Sequence, residues 1–267
     1  MTNVFMLSNI QRFSSEHGEP TMSNSSRPKL GLVIPTLNEA GNLPVLLERL
    51  SAAVADASVD CEFIIVDDGS TDGTAKVGRA CAAQDSRVRV FERKGERGLA
   101  GAVIHGWAQT DADLLGVIDA DLQHPPELLP ELLAPVLDGG DIAIASRYVT
   151  GKGDSLGEWN KFRVLVSRCS TLLATAPLRG RGLKVTDPLS GFFVVRRQCI
   201  DDLKLQPEGF KILLEILVKG RISKTTEVPF RFATRQSGKS KADIRVALHY
   251  FTLLGKLSRY AIFGQGQ

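Results

Sequence analysis

"VIDADLQHPPELLP" (residues 117–130) runs from apolar side chains into two aspartates, a glutamine and a pair of prolines. With the preceding "DLLG" it has the short, unbroken hydrophobicity of a strand buried on both faces. Pro125 and Pro126 suit a helix's first turn, and the apolar positions of "ELLPELLAPVL" continue that helix. A buried strand that ends in carboxylates and turns directly into a helix is half of a β–α–β unit.

The same construction recurs upstream. "LGLVIPTLNE" reads as a strand over 30–34 ended by Pro35, and a helix over 42–54 follows with Leu43, Leu46, Leu47 and Leu50 on one face. "CEFIIVDDGSTDGTAKVGRACAA" reads as a strand over 62–66, a polar glycine-containing turn and a helix from Thr74. A third strand is expected over 88–93, a small-residue helix able to pack closely on a sheet over 98–110, and a fifth strand over 141–148. Alternating strands and helices predict an α/β fold, a Rossmann-like and mostly parallel sheet flanked by helices. In such sheets ligands sit beyond the carboxyl ends of the strands, where strand order reverses. The tips "PTLNE", "DDGSTDG" and "DADLQ" all follow strands at that end, so the expected site is polar and acidic.

After residue 150 the alternation loosens. A glycine-rich loop leads to a helix carrying Arg163, Ser167 and Arg168; "LKVTDPLSGFFVVRR" is a turn into a strand, and "GFKILLEILVKG" is a helix. "KTTEVPFRFATRQSGKSK" is a strand and a basic loop, and the last segment is an amphipathic helix with Ile244, Leu248, Phe251 and Leu254 on one side. The expected division is a disordered extension over 1–28, a main domain over 29–240 and the amphipathic helix over 241–267. Phe192, Phe193 and Phe210 fit either the core or an apolar groove.

With 267 residues, 43% hydrophobic, the chain is long enough for one domain with a large core. Cys61, Cys81, Cys169 and Cys199 have neither CxxC nor zinc spacing and read as reduced thiols. The net charge of +3 conceals an asymmetry: residues 1–144 carry 11 basic and 21 acidic side chains, residues 145–267 carry 22 and 9. The acidic half suits cations, and the basic half suits phosphates or an anionic membrane surface. The first 29 residues lack the apolar core of a signal peptide, and Met22 is an alternative start. No stretch has the roughly 18 uncharged apolar residues of a membrane span.

Side chains alternate along an extended segment, so Asp119 and Asp121 are expected to share one side, with Gln123 adding a neutral oxygen. Two carboxylates and an amide suit a hard cation, Mg²⁺ or Mn²⁺, whose shell phosphates or water complete. Zinc would require histidine or cysteine ligands that His124 alone does not supply. One aspartate could be a solvated strand end; two, matched by Asp67 and Asp68 on a neighbouring tip, favour a metal. "DDGSTDGT" matches neither GxxxxGK[ST] nor GxGxxG, and its carboxylates suit base or ribose hydroxyls better than phosphate. His105 and His124 read as structural.

In order along the chain, "VIPTLNEAGNL", "IIVDDGSTDGT", "GLAGAV", "DADLQHPPE", "ASRY", "TDPLSGFF", "GFKILLEILVKG" and "RQSGKSK" resemble the dolichol-phosphate mannose synthases. These are inverting family 2 glycosyltransferases of GT-A fold, and the resemblance covers about residues 30–245. It implies transfer of mannose from GDP-mannose to a dolichyl or undecaprenyl phosphate, with Mg²⁺ or Mn²⁺ as cofactor. It further implies that Pro35, Thr36, Asn38, Glu39, Asp67, Asp68, Asp119 and Ala120 bind the nucleotide sugar. Asp119, Asp121 and Gln123 would hold the metal, and Arg147, Arg163 and Ser167 the lipid phosphate. Arg235 would close over the diphosphate with Lys241 nearby, and Asp121, Arg147 and Arg235 would be the catalytic residues. Two departures stand out: Asn160 replaces an expected proline, and 176–185 does not align. The QxxRW motif of processive polysaccharide synthases is absent.

Because the acceptor is membrane-embedded, the resemblance implies peripheral docking at a cytoplasmic membrane face. The basic half and terminal helix, or a membrane-anchoring partner protein, would provide it; no nucleic-acid partner is expected. One rival keeps the chemistry with UDP-glucose or another nucleotide sugar. A second, a non-catalytic nucleotide-sugar-binding module, is disfavoured because the expected metal and phosphate ligands are all present.

Overall fold

The computed structural model describes residues 27–95, 98–149, 180–206 and 211–231, together with Ala174, Thr175, Leu178, Gly255 and Leu257. Among the described residues seven strands form one sheet: β1 (Lys29–Thr36), β2 (Asp60–Asp67), β3 (Val88–Glu92), β4 (Leu114–Ile118), β5 (Ile142–Ser146), β6 (Phe192–Arg196) and β7 (Thr225–Pro229). Their order is β3-β2-β1-β4-β6-β5-β7. All pairings are parallel except those of β6, which runs against both β4 and β5. The expected mostly parallel α/β sheet is therefore found.

Period-two alternation sorts the strand side chains into two cores. Leu32, Ile34, Phe63 and Ile65 pack under α1 (Leu43–Ala53) and α4 (Leu129–Leu137). Val33, Ile64, Val66 and Val117 pack under α3 (Leu99–Trp107) and α5 (Ile212–Lys219). α2 (Thr74–Ala82) lies on the α1 side: a Cβ at Gly78 would sit 3.3 Å from Ile65 and 3.5 Å from Leu43. The small residues of α3 act as expected, since a Cβ at Gly106 would lie 2.7 Å from a Val33 methyl. Phe192 and Phe193 are both core residues on opposite faces, which excludes them from a lipid groove.

Two boundaries at the strand tips differ from the sequence reading. β1 continues through Pro35 and Thr36 against Val66 and Asp67 of β2. Pairing with β4 stops at Val33–Val117, so the N–H that Pro35 lacks is not demanded by that neighbour. β4 ends at Ile118, so Asp119 to Gln123 form a turn rather than an extended segment. The Gln123 N–H bonds back to Asp121 Oδ1 at 3.2 Å and Leu122 adopts φ 59°, an aspartate-led turn that competes with strand extension. Of the predicted terminal helix, Gly255 and Leu257 are among the described residues. Both are helical, and Leu257 is buried in the α3/α5 core.

Candidate active site

The chain fills β1, β2 and β3 outward in one direction, then returns across β1 to β4. This reversal puts the carboxyl ends of β2, β1 and β4 side by side at the switch point where α/β proteins bind ligands. On β1 and β2, Thr36 Oγ1 donates to Asp67 Oδ1 at 3.0 Å, and the Ser70 N–H donates to Asp67 Oδ2 at 2.9 Å. Asn38, at φ 59°, takes the Thr71 N–H on its side-chain oxygen at 2.9 Å and gives its own N–H to Ser70 at 2.8 Å. The Glu39 N–H donates to Thr74 Oγ1 at 2.9 Å, and the Ala40 N–H to Asp72 at 3.0 Å. Loops β1–α1 and β2–α2 thus form one cross-linked rim around Thr36, Asn38, Glu39 and Asp67.

Asp68 has a different setting. Its carboxylate takes Arg93 Nε at 2.7 Å, Arg93 Nη2 at 3.0 Å and the Gly98 N–H at 2.9 Å, with both side chains under a tenth exposed. This buried bidentate pair joins β2–α2 to the end of β3 and the start of α3.

At the β4 tip the Asp119 N–H bonds to Gly191 O at 3.1 Å, continuing the antiparallel ladder one step beyond Ile118–Phe192. The Asp119 carboxylate lies so close to Gly191 that an added Cβ there would fall 1.9 Å from its Oδ2 and 2.4 Å from its Cγ. Only a residue without a side chain fits beneath that carboxylate. His124 is buried between Phe192 (ring centroids 6.2 Å) and Phe230 (5.1 Å). Burial, then the charge of Arg147, pushes its imidazole down to about 3, so it is neutral near pH 7.

Across the β4–β6 seam is a cationic cluster. Arg147, just after β5, donates its backbone N–H (3.1 Å), Nε (2.8 Å) and Nη2 (2.7 Å) to Asp187. Asp187 is fully buried and the Arg147 side chain is 11% exposed. Burial opposes the guanidinium charge, but the Asp187 hydrogen bonds and charge outweigh it and raise the pKa. Lys211, at the start of α5, has its ammonium 3.4 Å from Leu189 O. Burial and then the Arg147 charge lower its pKa, while Asp119 and Asp187 pull it upward. Asp119 also acts on Arg147, so the acidic tip and the cationic cluster share one field.

The described residues therefore bring Pro35, Thr36, Asn38, Glu39, Asp67, Asp119, Ala120, Asp121, Gln123 and Arg147 to one end of the sheet. Asp68 is there too, engaged by Arg93. Arg163, Ser167, Arg235 and Lys241 lie outside the described residues. Sequence reasoning assigned no role to Asp187, Gly191 or Lys211, although "TDPLSGFF" and "GFKILLEI" had been singled out. The signal was present in those motifs, but the pairing partners were not. Among the described residues no three His, Cys, Asp or Glu side chains cluster as a metal site. A cation at the β4 tip would rest on two carboxylates and the Gln123 amide, and these hard oxygen donors fit Mg²⁺ or Mn²⁺.

A switch-point site with an acidic strand tip facing cations is the arrangement of a ligand-binding α/β fold suited to an anionic ligand held through a hard cation. Residues 32–204 match Glycosyl transferase family 2, and the chain belongs to that family. It is 39% identical over 233 residues to the dolichol-phosphate mannosyltransferase of Pyrococcus furiosus, covering 87% of this chain and 64% of that relative. With the dolichol-phosphate mannosyltransferase of Mycosarcoma maydis it shares 36% over 258 residues, covering 93% of this chain and 85% of the relative. The matched region thus spans under two thirds of the first relative's length. Among solved structures, glucosyl-3-phosphoglycerate synthase from Mycobacterium tuberculosis, in complex with Mn²⁺, UDP-glucose and phosphoglyceric acid, superposes with TM-score 0.60. That match has 22% identity and covers 88% of this chain and 77% of the other, a likeness of fold.

Proposed function

We propose that the chain transfers mannose from GDP-mannose to a polyprenyl phosphate, dolichyl or undecaprenyl, with inversion, giving polyprenyl phosphate β-mannose. The observation that carries this reading is the seam itself: the Asp119 tip and the Arg147–Asp187–Lys211 cluster meet across β4 and β6. The names of the similar mannosyltransferases support mannose as the sugar and a polyprenyl phosphate as the acceptor.

Thr36, Asn38, Glu39 and Asp67 would receive the base and ribose on the cross-linked rim, with Pro35 and Ala120 lining it. Asp68 would act indirectly, holding the rim through Arg93. Asp119, Asp121 and Gln123 would hold Mg²⁺ or Mn²⁺, which when bound supplies positive charge to the donor's diphosphate. Arg147, with Arg163 and Ser167, would receive the lipid phosphate, and Arg235 and Lys241 would cover the diphosphate.

The acceptor is a phosphate monoester with second pKa about 6, hence mostly a dianion near pH 7. One of its oxygens forms the new bond to the anomeric carbon as the bond from that carbon to the diphosphate breaks and GDP leaves. No proton need be removed, which agrees with a neutral His124 packed between rings. Fixed cations and close positioning supply the rate. No described helix is long and apolar enough to cross a membrane. The basic half would hold the enzyme peripherally at the cytoplasmic membrane face, alone or with an anchoring partner.

The test is a donor panel of GDP-mannose, UDP-glucose and UDP-N-acetylglucosamine with undecaprenyl phosphate in detergent. GDP release and a mannolipid product are expected from the first alone. Turnover with a UDP-sugar and none with GDP-mannose would overturn the donor assignment.

A further inference from the structure

We propose that Glu227 on β7 is a positioning residue for the acceptor phosphate, acting on Arg147 through the turn that carries Asp187. The inference rests on the reading that Arg147 receives that phosphate.

Glu227 pairs in register with Ile144 of β5, three residues before Arg147. Its neighbour Val228 is buried in the α1/α4 core, so the alternation of β7 turns Glu227 to the other face. There it takes the Thr186 N–H on Oε2 and the Asp187 N–H on Oε1, both at 2.9 Å, and the Thr186 hydroxyl on Oε1 at 2.9 Å. Two successive backbone N–H groups enclosing a carboxylate form an anion nest, here filled by the protein itself. Thr186 Oγ1 also lies 3.0 Å from Ser146 Oγ, beside Arg147 in the chain. The turn is thereby fixed from β7 and β5 together.

The consequence reaches the arginine. Asp187 is fully buried and receives three donors from Arg147, so the plane of its carboxylate sets the plane of the guanidinium. The backbone that orients Asp187 is held by Glu227. Without that carboxylate, two N–H groups lose their acceptor and the turn can rotate, carrying Asp187 and the guanidinium with it. A fork misaligned by about 1 Å loses much of its advantage in binding a phosphate in line for attack. No contact between Glu227 and either substrate is required.

The experiment compares wild type, Glu227→Ala, Glu227→Gln and Arg147→Ala in the full chain, with GDP-mannose and undecaprenyl phosphate in detergent micelles. For Glu227→Ala the expected result is a rise in acceptor KM, or a loss of kcat, on the order of tenfold, with donor KM unchanged. Glu227→Gln, nearly isosteric and still offering an acceptor oxygen, should recover part of that loss. The Arg147 Nε–H resonance, assigned by its absence in Arg147→Ala, should shift and exchange faster with water in Glu227→Ala, and less so in Glu227→Gln. If Arg147→Ala impairs acceptor use while both Glu227 variants keep wild-type acceptor KM and the wild-type Nε–H signal, the positioning inference falls alone. If Arg147→Ala leaves acceptor KM and kcat unchanged, the phosphate assignment falls and the inference falls with it. Parallel losses in donor and acceptor KM with a lowered Tm would reduce Glu227 to a strand-stabilising residue and overturn the proposal.

Discussion

Gly191→Ala should disable the β4 tip by moving Asp119. The new methyl would lie 1.9 Å from Asp119 Oδ2, against the 3.0 Å below which real Cβ atoms essentially never approach, so the deficit is about 1.1 Å. Gly191 is not among the glycines with positive φ, so alanine meets no backbone penalty and the whole effect is the collision. Nor can the two strand ends easily part, because the Asp119 N–H is bonded to Gly191 O at 3.1 Å. The carboxylate must therefore rotate off its present position by about 1 Å or more. A shift of that size costs on the order of a hundredfold in rate where groups must be aligned. Lost alignment of a ligand should also weaken Mn²⁺ binding by roughly ten- to a hundredfold. Overpacking adds about 1–3 kcal/mol of destabilisation.

The assay is Mn²⁺ binding in the presence of GDP, followed by electron paramagnetic resonance, beside turnover and Tm. A double-mutant cycle with Asp119→Ala isolates the cause, since with that carboxylate deleted the methyl at 191 has nothing to strike. Gly191→Ala should then add no further loss of Mn²⁺ affinity and little loss of Tm. The reasoning is refuted if Gly191→Ala binds Mn²⁺ and turns over like wild type. It is equally refuted if the substitution destabilises the Asp119→Ala background as much as the wild type.

Arg147→Ala should destabilise by about 3–5 kcal/mol, because fully buried Asp187 loses its cation; Arg147→Lys should recover part of the stability in denaturant melts and less of the acceptor binding. Gly106→Ala should cost about 1–3 kcal/mol, since its methyl would meet Val33 at 2.7 Å, while donor KM stays unchanged in steady-state kinetics. Asp85 is held down at about 2 chiefly by the Arg87 hydrogen bond, so its contribution is present above the unfolded value of about 3.9 and is lost as pH falls toward 2. The pair is partly exposed, so Asp85→Asn should cost below about 1 kcal/mol near pH 7, and its Tm difference from wild type should shrink between about pH 4 and 2.

The alternation of strands and helices was legible because buried strands, polar tips and leucine-spaced helices each leave a local pattern. Thr36, Asp67 and Asp119 could be predicted to converge because the parallel rule carries every strand's carboxyl end to one side. The Asp119–Asp121 turn was misread as extended, since aspartate side chains compete with the ladder through hydrogen bonds that hydrophobic periodicity does not encode. Asp68 and Asp67 look alike in sequence, yet one is tied to Thr36 and Ser70 and the other is sealed by Arg93. The difference lies in a partner 25 residues away in the chain.

The least legible step was the direction of β6. A strand parallel to its neighbours would bring its last residues, Val195 and Arg196, to the active end; the reversed strand brings its first. That puts "TDPLSG" against "DADLQ", so Gly191 lies beneath Asp119 and Asp187 can grip Arg147. The reversal also gives the charge asymmetry a location. β1 to β4 belong to the acidic half, while β6 and β7 belong to the basic half, with β5 holding the boundary between them. The sheet joins the halves at the β4–β6 ladder, where an acidic tip and partly buried cations act within one field. A reaction that needs a cation site for a diphosphate beside an anion site for a phosphate would find the side chains for both along a single strand pairing. Glu227, Asp187 and Gly191 matter because they hold the two sides of that pairing in fixed relation.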